Sequence, residues 1–169
     1  SATNLSETYN LRSRLVLLND GSKCEEEKLG QIGNIYYAMG EIFKEKKKDD
    51  VLIIAGDNLF DFPLTEAYEL FKERYSILNI VYDLKDIEKA KRFGVVSIDK
   101  DGMITNFKEK PERPESTLVS IGAYFFPQKY LKLFDWYANY FGGWEKKKED
   151  RSKEEKKNMD KIGYLFQQL

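Results

Sequence analysis

Two short segments of this chain put charged groups where a reaction can use them. Gly56-Asp57-Asn58 directly follows the apolar run Val51-Leu52-Ile53-Ile54-Ala55. Such a run, apolar on both faces, predicts a central strand of a mostly parallel sheet. In open α/β sheets, ligands bind beyond the carboxyl ends of the strands. A carboxylate placed there can hold a magnesium ion, which takes one or two carboxylates plus substrate phosphates. The plainer account is that Asp57 caps a turn, with Asn58 helping. Glu109-Lys110-Pro111 is the second segment. Lys110 can supply a point charge to a phosphate, and Glu109 can accept hydrogen bonds from hydroxyl groups. The plainer account here is an exposed ion pair, which contributes little. Gly30 and Gly33 flank the start of a helical pattern, where free backbone N–H groups can meet a base or phosphate, or simply be capped.

One absence narrows the chemistry. The 169 residues contain no histidine, which removes Ser-His-Asp and Cys-His nucleophilic catalysis and the usual zinc sites. Carboxylates, lysines, backbone amides and a hard metal such as magnesium are left, and these suit phosphoryl and nucleotidyl transfer. Lys and Arg number 28 against 29 Asp and Glu, a balance that gives no electrostatic case for nucleic acid or an acidic membrane surface. The apolar runs are short and broken by charge, so none predicts a bilayer span, and no leader-like segment opens the chain. The one cysteine, Cys24, cannot form an internal disulfide, and the expected setting is the cytoplasm.

The elements that must position these groups can be read from periodicity. Arg14 to Leu18 predicts a buried strand ending in the turn-like Asn19-Asp20-Gly21. Ile32, Ile35, Tyr36, Met39, Ile42 and Phe43 recur at helical spacing. Leu64, Ala67, Tyr68, Phe71 and Tyr75 mark a second amphipathic helix, with Pro63 near its start. Leu78 to Tyr82 is another strand, so strand and helix alternate, as in an α/β layered domain. Val95–Ile98 and Met103–Phe107 flank Asp99-Lys100-Asp101-Gly102 and predict a β-hairpin. A strand is expected over Leu118–Phe126, then a helix carrying Tyr130, Phe134, Tyr137 and Phe141. Residues 145–157 are almost wholly charged, with both signs interleaved, and read as a solvated helix or loop. The expected organisation is a core over 1–141, that charged segment within 142–157, and the start of a following piece of the same domain over 158–169.

The order of the blocks is more specific than any one block. Leu29-Gly30-Gln31-Ile32-Gly33-Asn34-Ile35 is followed by Val51 to Asn58. Phe93-Gly94-Val95-Val96 comes next, then Asp101-Gly102, Phe107-Lys108-Glu109-Lys110-Pro111 and Ser120-Ile121-Gly122-Ala123-Tyr124-Phe125. As an ordered set these resemble the sugar-1-phosphate nucleotidyltransferase family, which includes glucose-1-phosphate thymidylyl-, uridylyl- and cytidylyltransferases. The resemblance covers residues 3 to about 141, and less surely 158–169 through Met159-Asp160-Lys161-Ile162-Gly163.

The resemblance implies a three-layer, Rossmann-like α/β fold with a mixed, mostly parallel sheet, incomplete in its N-terminal part. It implies nucleotidyl transfer from a nucleoside triphosphate to a sugar 1-phosphate, with Mg2+ as cofactor. By the same carry-over, Asp57 would be the catalytic metal aspartate, with Asn58 beside it, and Lys110 the catalytic lysine on the sugar phosphate. Gly30 would lie against the base, Gly94 against the sugar, and Glu109 would hold sugar hydroxyls. Ser120 and Gly122 would line the sugar pocket, and a homo-oligomer would be in keeping with relatives.

Two family features are not in this sequence: the glycine-rich Gly-Gly-x-Gly-Thr-Arg loop and a second metal aspartate beyond a Trp-x-Asp-like segment. The expectation is therefore a piece of a longer polypeptide, whose catalysis is completed by segments outside it. The alternative expectation is a non-catalytic subunit of the same fold that senses nucleotide or nucleotide sugar, or serves assembly.

Overall fold

The computed structural model describes residues 16–24, 27–44, 48–140 and 151–167. Helix α1 (Gly30–Phe43) is followed by strand β1 (Val51–Ile54), helix α2 (Thr65–Arg74) and strand β2 (Leu78–Asp83). A short helix α3 (Ile87–Ala90) precedes the hairpin strands β3 (Gly94–Ile98) and β4 (Ile104–Glu109). Strand β5 (Leu118–Phe126), helix α4 (Lys132–Tyr140), helix α5 (Lys153–Asp160) and helix α6 (Ile162–Phe166) complete the order.

Strand β5 organises the sheet. Phe125 pairs with Leu52 of β1 and with Leu78 of β2, so these two strands occupy opposite edges of β5. Val119, at the other end, pairs with Val95 of β3 and with Tyr82 of β2. The hairpin β3–β4 therefore continues the edge that β1 begins, giving the order β1-β5-β3-β4 with β2 on the far side of β5. The layered α/β class holds. The pairing direction differs from expectation: every pairing among the described strands is antiparallel. The unit β1-α2-β2 does keep its two strands in one direction, as a helical crossover requires. Here β5 returns between them and takes both sets of ladder hydrogen bonds.

Two further expectations change. Among the described residues β1 is an edge strand and not a central one: it pairs only with β5, and Leu52 and Ile54 stay exposed. The strand expected over Arg14–Leu18 lies partly outside the described residues. Its described part, Val16–Leu18, has no regular structure and is exposed.

Alternation along β5 builds the layers. Tyr124 and Phe126 face one side, in a cluster with Ile32 of α1, Phe134 and Tyr137 of α4, and Ile162 and Leu165 of α6. Phe125 faces the other side and stacks on Phe71 of α2 at 5.2 Å between ring centroids. Helices thus cover both faces, a three-layer arrangement. A small satellite of Ala90, Val95 and Val119 anchors the hairpin. In the charged segment, residues 145–150 lie outside the described residues. From Lys153 the chain is helical, because Ser152 and Glu155 form a reciprocal capping box at the start of α5.

Candidate active site

The loop after β1 and the end of β4 meet. Asp57 and Asn58, from the first, and Glu109 and Lys110, from the second, line one cleft of about 360 Å3. Gly94, Ser120 and Gly122 line it too, so seven of the eight residues given roles by the family resemblance share it. Gly30 is the exception. It opens α1, and its neighbour Gln31 reaches the cleft in its place. A second hollow of about 300 Å3 adjoins, sharing Gln31, Ala55, Asp57, Gly122, Tyr124 and Ile162 with the first.

The backbone explains why these loops converge. Ala55 N–H donates to the Gly122 carbonyl at 2.8 Å, extending the β1–β5 pairing one step toward the cleft. The side-chain amide of Asn58 donates to the Ile121 carbonyl, which ties the Asp57 loop to the middle of β5. Gly122 has φ +73°, and a Cβ there would lie 3.0 Å from the Ala55 Cβ, so both backbone conformation and space call for glycine. On the other wall, Lys110 N–H donates to the Phe93 carbonyl at 3.0 Å and holds the end of the hairpin. Asp57 and Lys110 are exposed, whereas the Glu109 side chain is only 10% exposed.

Glu109 has the most constrained surroundings. Its Oε1 lies 3.3 Å from the Lys161 ammonium. A Cβ at Gly163 would come within 2.5 Å of Glu109 Oε2; one at Gly94 would meet the Phe107 ring first, at 2.6 Å, and Oε2 at 3.2 Å. Lys161 belongs to the C-terminal segment, which is pinned to α1 because Ile162 N–H donates to Gln31 Oε1 at 3.1 Å. Gln31, Tyr124, Lys161 and Gly163 are cleft residues that sequence reasoning did not single out as such. For Lys161 and Gly163 the one available signal was the weaker block 159–163. For Gln31 it was adjacency to Gly30.

Behind the cleft runs a short polar chain. Ser120 Oγ is 2.9 Å from Asn79 Oδ1 and 2.9 Å from Tyr124 OH. A hydroxyl has one proton to give; Ser120 gives it to the amide oxygen, so Tyr124 must donate to Ser120. Burial pushes the Tyr124 phenol up to about 12; the Ser120 hydrogen bond opposes the rise and the negative charge of Glu109 adds to it. Tyr124 is thus held neutral and donating. The buried Asn79 Nδ2 has no hydrogen-bond partner among the described residues.

The donor set fits half of a magnesium site. Among the described residues no group of three acidic, cysteine or histidine side chains could hold a metal. Asp57 lines the cleft as one exposed carboxylate. Magnesium commonly keeps several waters and accepts one or two carboxylates plus substrate phosphates, so Asp57 suits such an ion only with a phosphate-bearing ligand present.

No helix among the described residues is long and apolar enough to cross a membrane. Comparison with known proteins places the chain in a family. Over 82 residues the chain is 40% identical to a glucose-1-phosphate adenylyltransferase of Thermomicrobium roseum, covering 48% of this chain and 19% of that one. Over 101 residues it is 36% identical to a glucose-1-phosphate adenylyltransferase of Thermotoga maritima, covering 59% and 23%. The crystal structure of UDP-glucose pyrophosphorylase complexed with UDP-glucose shares the fold, with a TM-score of 0.59 at 18% identity over 83% of this chain and 50% of that one. The matched stretch therefore spans less than a quarter of these two adenylyltransferases and half of the solved chain. A sequence profile of the family described as nucleotidyl transferase matches residues 4–161, nearly the whole chain, and this chain belongs to that family.

Proposed function

We propose that the full-length protein transfers a nucleotidyl group from a nucleoside triphosphate to a sugar 1-phosphate. The observation that carries this reading is the single cleft shared by Asp57, Glu109 and Lys110. A phosphate oxygen of the sugar 1-phosphate attacks the α-phosphorus of the triphosphate. The bond from that phosphorus to the β-phosphate bridging oxygen breaks, and pyrophosphate leaves. The attacking phosphate is already ionised near neutral pH, so no general base is needed, in keeping with a chain that has no histidine.

Each wall of the cleft has a task in this scheme. Lys110 meets the sugar phosphate, offsets its charge and holds it in line, which is where most of the rate enhancement of such transfers lies. Glu109 accepts hydrogen bonds from sugar hydroxyls. Gly94, Ser120 and Gly122 give the sugar a close-fitting wall, and the start of α1 at Gly30 and Gln31 faces the nucleotide base. Asp57 holds Mg2+, with Asn58 fixing the loop that carries it. A magnesium ion bound there would neutralise charge on the triphosphate. The proposed setting is the cytoplasm, in keeping with a sequence that carries a single cysteine, Cys24.

The test is magnesium-dependent pyrophosphate release by the full-length protein across a panel of nucleoside triphosphates and sugar 1-phosphates. Turnover with one pair well above the others is expected. Binding of a nucleotide sugar with no turnover for any pair would overturn catalysis and leave a sensing or assembly subunit. That second reading is favoured by one observation: among the described residues, no group of three acidic, cysteine or histidine side chains could hold a metal at Asp57.

A further inference from the structure

We infer that Lys161 is a positioning residue for the sugar: it holds the Glu109 carboxylate aimed so that it can accept sugar hydroxyls. This rests on the proposed transfer reaction and deepens it, by assigning to the C-terminal segment a part in selecting the sugar. Glu109 is the acceptor in that scheme, yet its side chain is 10% exposed. An ionised carboxylate withdrawn that far from water needs a compensating charge and fixed hydrogen bonds. Lys161 supplies the charge at 3.3 Å from Oε1, from a side chain that is itself only 27% exposed.

The rest of the segment is shaped around the same carboxylate. Gly163 leaves space at Oε2 that a methyl group would fill, since its Cβ would approach to 2.5 Å. Gly94, on the opposite strand, is kept bare first by the Phe107 ring, 2.6 Å from where its Cβ would stand, with Oε2 next at 3.2 Å. Phe107, from the same strand as Glu109, packs against Phe166 of α6 with ring centroids 5.6 Å apart, which fixes how close Lys161 comes. Gln31 pins Ile162 through its backbone N–H. One carboxylate therefore has one oxygen held by a cation and the other beside a glycine that leaves it room, at the edge of a cleft. A surface ion pair does not require such surroundings; a carboxylate that must meet a patterned set of hydroxyls does.

Full-length wild type, Lys161→Met, Lys161→Arg, Glu109→Gln and the Lys161→Met/Glu109→Gln double variant test this by steady-state pyrophosphate release. Lys161→Met should raise KM for the sugar 1-phosphate by about tenfold or more, while KM for the nucleoside triphosphate stays within about twofold. Lys161→Arg should recover most of the loss. Against Glu109→Gln, the added effect of Lys161→Met should shrink to less than about twofold, since a neutral amide needs no cation. An unchanged sugar KM in a folded, active Lys161→Met overturns the assignment. So does an equal loss in both backgrounds, which would mean that Lys161 acts without Glu109. A wild type that turns over no substrate pair overturns the transfer reading itself, and this assignment with it. Should Lys161→Met not fold, Lys161→Gln replaces it in the same cycle.

Discussion

Strand β5 is half core and half cleft, and the change falls at Gly122. From Ala123 to Phe126 every residue is buried, flanked by β1 and β2 and covered by helices on both faces. From Ser120 to Gly122 every residue is half-buried and lines the cleft. The buried half is apolar and aromatic, with Phe126 4.9 Å from Phe134 between ring centroids. The open half carries a hydroxyl and a left-handed glycine. Burial by neighbours on all sides makes the first half a rigid anchor. The second half inherits that rigidity while keeping its polar groups accessible, which a binding site on a strand needs.

The largest expected effect breaks the anchor. Phe126→Ala removes a fully buried ring from the larger cluster, and about 3–5 kcal/mol of stability should go with it in denaturant unfolding. Turnover per folded molecule should change far less. A comparable loss of both would mean that the two halves are not separable.

Lys110→Ala breaks the other side. The protein should fold with little change in stability, because this side chain is exposed. Its kcat/KM for the proposed transfer should fall by about 100- to 1000-fold, the range for removing one preorganised charge or donor. An intact rate would remove Lys110 from the chemistry.

Tyr124 belongs to both halves, buried in the core yet hydrogen-bonded to Ser120 of the cleft, and pH separates its two memberships. Its folded pKa is raised, by burial first, from 10.0 to about 12. The folded state therefore keeps a proton that the unfolded chain has lost. The stability this gives is fully present below pH 10, declines as pH rises from 10 to 12, and is gone above. The loss is about 2–3 kcal/mol for a shift of that size. Tyr124→Phe should flatten that part of the alkaline unfolding curve while other groups titrate as before. Superimposable curves would show that the phenol is not held neutral.

How far these halves were legible in the sequence depends on range. Leu118–Phe126 was read with its observed ends, because its apolar run is bounded by proline-containing loops. The hairpin was read from Asp101-Gly102, where Asp99 Oδ1 does accept from the N–H groups of Asp101 and Met103. Pairing direction was not legible. An apolar run such as 51–55 records that a strand is apolar, not which strand lies beside it, and β5 arrives at β1 from about seventy residues later. The Asp57–Lys110 cleft was reached through the order of the family blocks rather than through spacing. Lys161 was missed because its partner Glu109 is far away in sequence and no local pattern links them.

Gly122→Ala tests the junction itself, with the smallest expected effect. The substitution forces an alanine to φ +73°, which costs about 1–2 kcal/mol for a residue with a Cβ. Its Cβ would sit 3.0 Å from the Ala55 Cβ and 3.4 Å from Asn58 Nδ2, so the loop carrying Asp57 must give by a few tenths of an ångström. Stability should therefore drop modestly, and the metal dependence of turnover should shift, since Asp57 follows Ala55 by two residues. A Gly122→Ala protein with the stability loss but unaltered magnesium dependence would show that the open half does not take its geometry from the glycine. The tie from Asn58 to Ile121 would then suffice to hold Asp57 in place.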